Sequence, residues 1–114
     1  MKPKTQPGRV NALHLPLEAE YFHAILAGTK TEEYRECSKH WRTRIEGRTF
    51  DAIVLTLGYP KAGDTARRVV LPWRGYKIKR ITHPKFGTEP VEVFAIEVSA
   101  ARQLDLLTPG GANA

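Results

Sequence analysis

Apolar and polar residues recur along this chain with two different periods, and the changes of period divide it into strands and helices. Val10–Leu15 alternates as a short first strand. Pro16 then suits the first turn of a helix, where its missing N–H has no bond to lose. Leu17, Tyr21, Phe22, Ile25 and Leu26 form one apolar helical face, with Glu18 and Glu20 near the positive helix end. Gly28 supplies the left-handed position that ends this helix. Thr29–Glu36 is mostly polar, with two threonines and a tyrosine, and reads as an extended strand. Ser38 caps a short second helix running to Glu46, with Trp41 and Ile45 on its buried side and Gly47 closing it. Phe50–Leu57 is dense in Ile, Val and Leu, the composition of a central strand. After a loop over Gly58–Asp64, Ala66–Leu71 and Gly75–Ile81 form two further strands separated by Pro72-Trp73-Arg74. In the second of these, Tyr76 and Ile78 face one way and Lys77 and Lys79 the other. His83–Pro90 is a loop, and Val91–Ser99 is a nearly continuous apolar strand.

Six short strands and two helices, without βαβ alternation or internal repeat, predict an α+β fold: a small, closed or partly closed β-barrel with two flanking helices. At 114 residues the chain suits one domain. Its expected limits are residues 10–103, between a flexible arm at 1–9 and a Gly- and Ala-rich flexible tail at 104–114. No apolar run approaches the ~20 residues of a membrane helix. The first residues lack the apolar stretch of a secretory signal, and the single cysteine, Cys37, excludes an internal disulfide. A cytoplasmic, non-membrane protein is expected, with a monomer as the default.

Charge sharpens the picture once it is located. The chain carries +6, yet residues 61–85 alone hold eight basic side chains against one acid, Asp64. A field so concentrated attracts polyanions, nucleic acid above all. Arg67, Arg68, Lys77 and Lys79 are the expected phosphate track. Tyr34, Tyr59, Tyr76 and Trp73 are candidate stacking platforms for unpaired bases. Trp73 stands beside a strand break where exposure is expected, whereas Trp41 is expected in the core. His14, His23, His40 and His83 are scattered over different elements and give no metal-ligand spacing. Cys37 reads as a small buried residue. No metal or organic cofactor is implied.

The densest chemistry lies in Gly28-Thr29-Lys30-Thr31-Glu32-Glu33-Tyr34-Arg35. Glu33 and Arg35 are two apart and share a strand face, and Lys30 joins them only if the chain turns near Thr31. The plainest reading of such a cluster is a surface ion-pair network of little energetic worth. The pattern Gly28-x-Lys30-x-x-Glu33-x-Arg35, however, resembles the G-x-K-x-x-E-x-R signature of the ASCH domain family. The helix Tyr21–Gly28 before it resembles the family's preceding segment, and the likeness extends over residues 12–36. It implies a PUA-like barrel with a cleft at the signature residues, and RNA or a nucleotide-like molecule as partner. Lys30 and Arg35 would then contact phosphate or base edges while Glu33 holds one of them. Some family members resemble ribonucleases, for which Lys30 and Glu33 are the candidate catalytic pair. Others hydrolyse the acyl amide of modified cytidines with a nucleophilic threonine, whose place Glu33 occupies here. RNA binding, hydrolysis of RNA or of a modified nucleoside, and a protein-interaction module therefore all stand open.

Overall fold

The structure, a computed structural model, describes residues 11–99. The arm at 1–9 and the tail at 104–114 lie outside the described residues. The chain order is β1 (Ala12–Leu17), α1 (Ala19–Ala27), β2 (Glu32–Glu36), α2 (Lys39–Ile45), β3 (Ala52–Leu57), β4 (Arg68–Pro72), β5 (Tyr76–Ile81) and β6 (Val91–Glu97), with 3₁₀ turns at Thr65–Arg67 and Pro84–Phe86. The fold is α+β, with six strands and two α-helices among the described residues. The strands form two three-stranded sheets, in the orders β1-β3-β4 and β2-β6-β5, and among the described residues these do not pair into a single closed ring.

The most apolar strands occupy the two sheet centres. β3 pairs parallel to β1 and antiparallel to β4, and the register aligns Leu13 with Ile53 and Leu71, and Leu15 with Leu55 and Val69. These two rows, all buried, form one face of the first sheet. Phe94 and Ile96 of β6 share the same core cluster, together with Phe22 and Ile25 of α1 and Ile45 of α2. Both sheets thus pack on one core. Burying these side chains contributes roughly 1.5–3 kcal/mol each.

Pro16 corrects the helix start read from sequence: it lies inside β1, opposite Thr56, and α1 begins only at Ala19. The reason is edge geometry. Asn11 and Leu17 direct their carbonyls towards the β3 side, accepting from Asp51 N at 2.7 Å and Gly58 N at 2.9 Å. In a parallel pair alternate residues turn their backbone groups away, so Pro16 faces the free edge and breaks no ladder bond. Leu17 accordingly belongs to β1, and Leu26 is exposed rather than part of the buried helical face.

Gly28 ends α1 as expected, at φ 83°, with its N–H donating to Ile25 O. Thr29 N and Lys30 N both donate to Ala24 O, so the chain is still turning at Lys30 and β2 starts two residues later. Ser38 Oγ accepts from Trp41 N at 3.3 Å and caps α2. The alternation expected of Tyr76–Ile81 holds for Tyr76, which packs on Phe94 with ring centroids 5.0 Å apart. Ile78 shares that face, opposite Phe94, but is 50% exposed because β5 is an edge strand.

Candidate functional site

Glu33 and Arg35 lie opposite Ile96 and Phe94, so their side chains leave β2 on the core-facing side of its sheet. There the apolar core gives way to a cleft of about 690 Å³, bounded by the ends of β1 and β3, the start of α1, α2, and the Pro84–Phe86 turn. Glu33 is only 6% exposed. Its carboxylate lies 3.1 Å from Arg35 Nη2 through one oxygen and 3.6 Å from Lys30 Nζ through the other. The turn after Gly28 frees Lys30 from strand parity, and the three signature charges meet around one carboxylate. A buried carboxylate between two cations is compensated, and the cluster keeps one net positive charge for the cleft.

Each cation is held by further groups. Arg35 Nη2 donates to Pro16 O at 2.9 Å, the carbonyl that β1 turns to its free edge. The Arg35 guanidinium lies 5.0 Å from the Trp41 ring centre, and its buried Nε has no acceptor among the described residues. Lys30 Nζ sits 4.7 Å from the Tyr34 ring centre and 5.3 Å from that of Tyr21. Ring faces attract cations, so both charges are positioned as well as neutralised. At the mouth Lys85 Nζ meets Glu18 Oε2 at 2.6 Å. Tyr59, also at the cleft, is 90% exposed. The turn carrying it is fixed by Gly58 N donating to Leu17 O and Thr56 Oγ1 donating to Gly58 O at 2.7 Å.

Tyr34 lies beside this site and leans on a second ion pair. Its hydroxyl donates to Glu32 Oε1 at 3.0 Å, and Lys79 Nζ donates to both Glu32 oxygens at 3.0 and 2.8 Å. The Lys79 hydrogen bond holds the Glu32 carboxyl below its ordinary value, against an opposing effect of burial. Burial, followed by the bond to Glu32, raises the Tyr34 hydroxyl, and the Glu32 bond raises the Lys79 ammonium.

The other residues singled out from sequence lie elsewhere. Arg67, Arg68, Trp73, Lys77 and Lys79 do not line the cleft. Arg67 pairs with Asp64 at 3.0 Å, Arg68 donates to Pro60 O and Lys61 O, and Lys79 is engaged by Glu32. Both tryptophans are half-buried and pack on the core, which contradicts the exposure expected of Trp73 but not the core position expected of Trp41. Trp73 packs against Phe50 at 4.9 Å between ring centres and against Tyr76, whereas Trp41 lines the cleft. Tyr76 is likewise committed to packing, its hydroxyl accepting from Gly47 N. Thr31 is exposed and outside the cleft lining, and the Ser38 hydroxyl is engaged in capping α2. Cys37 is half-buried, and burial pushes its thiol up, away from the reactive thiolate. Sequence reasoning gave no role to the Pro16 carbonyl and placed Tyr21 and Trp41 on buried helix faces. The available signal was an aromatic near the end of each helix flanking the signature.

Among the described residues no group of three or more His, Cys, Asp and Glu side chains is placed to hold a metal. None of the described helices is long and apolar enough to cross a membrane. Comparison with family models, with curated proteins and with solved structures gives no match.

Proposed function

We propose that this protein is an RNA-binding domain of the ASCH kind, its two sheets forming a PUA-like barrel, and that the Lys30–Glu33–Arg35 cleft receives one nucleotide of the strand. The observation that carries this reading is the buried Glu33 carboxylate held between two cations in an aromatic-lined cleft. Fixed cations suit a phosphate or a base carbonyl, and they need no rearrangement to meet it. Tyr59 offers an open ring on which a base can stack. Binding is favoured over acyl-amide hydrolysis because neither Thr31 nor Ser38 presents a free hydroxyl to the cleft.

The test is fluorescence anisotropy of a labelled single-stranded RNA octamer with the wild type, Lys30→Ala and Arg35→Lys. Both variants are expected to lose affinity at least tenfold, the arginine variant because a point charge cannot replace the planar fork. Wild-type affinity in both, with melting temperatures unchanged, would refute the assignment. Intact octamer after prolonged incubation is the expected readout of a binder rather than a ribonuclease.

A further inference from the structure

A second concave surface lies on the other side of α2. It is a groove of about 770 Å³ along the free edge of β1, and its lining includes His14, Lys39, His40, Arg44 and Arg48 but no carboxylate. Those side chains are all exposed. Three permanent cations and two imidazoles therefore converge where charge counting along the sequence shows nothing. The basic residues here come from two elements and from the segment following α2, with Glu46 between them in the chain and Asp51 just after them. In space those acids are engaged elsewhere: Glu46 pairs with Arg42, and Asp51 Oδ2 accepts from Asn11 N.

The groove and the cleft are joined. Pro16 lines the cleft, and Ala12 and His14 line the groove, so both sites sit on the same β1 edge. The two-residue step from His14 to Pro16 spans about 7 Å of strand. By the same alternation that frees Pro16 O for Arg35, the backbone N–H groups of Ala12 and His14 point to this edge, which has no strand partner among the described residues. Trp41 links the two sites, with the guanidinium of Arg35 5.0 Å from its ring centre and that of Arg44 6.0 Å away. Arg44 Nε donates to His40 Nε2 at 3.1 Å, and Arg48 Nε to Thr43 O at 2.9 Å, and the other guanidinium N–H groups have no acceptor among the described residues and can meet an anion.

We infer that this groove is a second binding site, for the phosphodiester backbone of the same single RNA strand: the strand leaves the cleft, passes Trp41, and runs along the β1 edge beneath Lys39, Arg44 and Arg48. The inference rests on the cleft reading for its direction and on the groove for its chemistry. Guanidinium groups suit phosphate oxygens, and edge-strand N–H groups add neutral donors.

The experiment compares a nucleoside monophosphate with the RNA octamer, each titrated over a range of salt concentrations. The proteins are the wild type, Arg44→Glu/Arg48→Glu and Arg44→Lys/Arg48→Lys. The monophosphate is expected to bind all three alike, since it reaches only the cleft. The charge-reversed protein is expected to lose about tenfold in octamer affinity, and its salt slope to flatten by about 0.7 for each phosphate released. The lysine pair is expected to keep the slope. Lys39→Glu, which alters an exposed side chain, repeats the test should the double reversal unfold the protein. Wild-type octamer affinity and slope in a folded reversed protein would overturn the inference. So would an oligoglutamate that competes as well as RNA, because the groove would then serve acidic protein. If Lys30→Ala still binds both ligands while the reversed protein loses the octamer, the cleft reading fails and the groove stands as a phosphate site.

Discussion

At the scale of single residues the site turns on Glu33, because removing it leaves two cations facing each other in a half-buried space. Glu33→Gln keeps the shape and removes the charge, and should destabilise the fold by about 1–3 kcal/mol. Lys30→Ala should cost less than Glu33→Gln, since it breaks the longer contact of a largely buried pair and leaves Glu33 compensated by Arg35. Chemical denaturation distinguishes the two, and comparable losses would contradict the assignment of Glu33 as the anchor. Tyr59→Ala should leave the melting temperature unchanged, because the ring is open to solvent. It should weaken RNA binding by about 1–3 kcal/mol if a base stacks there. Unchanged affinity would remove Tyr59 from the site. The Glu32–Lys79–Tyr34 cluster makes a separate prediction. The Glu32 carboxyl is lowered by its bond to Lys79, so its contribution is full above its unfolded value and fades as pH falls through the folded one. The Lys79 and Tyr34 groups are raised, so theirs fade as pH rises through their folded values. The melting-temperature penalty of Glu32→Gln should therefore be greatest between about pH 5 and pH 10 and shrink at both ends. A penalty independent of pH would contradict this cluster.

Among the elements, α2 matters most for its length. Seven residues carry Trp41 between Arg35 and Arg44, and one side-chain cap holds the helix start. Ser38→Ala should cost about 0.5–2 kcal/mol in stability. It should also weaken octamer binding, because Trp41 loses its fixed place; an unaffected melting temperature would show that the cap is dispensable. Helix identity was readable from sequence because capping and periodicity are local: Ser38, Gly28 and the Phe22–Ile25 face all reported correctly. Pro16 and Trp73 were misleading for a common reason. Whether a proline is harmless depends on which strand edge it faces, and whether a tryptophan is buried depends on which element covers it. Both facts are fixed only when β1 pairs with β3 and when Phe50 and Tyr76 close over Trp73.

Over the whole molecule, one core joins the two sheets, and Phe94 stands fully buried at the centre of the second. Phe94→Ala should cost about 3–5 kcal/mol, near the whole stability of a small domain, and a loss below 1 kcal/mol would contradict a shared core. Global charge was legible only as a total. The eight basic residues of 61–85 point to one track in the sequence, yet folding divides them between the β3–β4 connection, the start of β4, the β4–β5 turn, the β5 edge and the cleft mouth. Arg67 and Lys79 end in ion pairs. The groove beside β1 is assembled from residues 14, 39, 40, 44 and 48, a convergence invisible along the chain. The central claim is that RNA engages the Lys30–Glu33–Arg35 cleft, and its most direct test is NMR of isotope-labelled protein titrated with the octamer. Perturbations should be largest at Lys30, Glu33, Arg35, Tyr59 and the Trp41 indole, and should vanish in Lys30→Ala. Perturbations confined to Lys77 and Lys79, or none at saturating RNA, would contradict it.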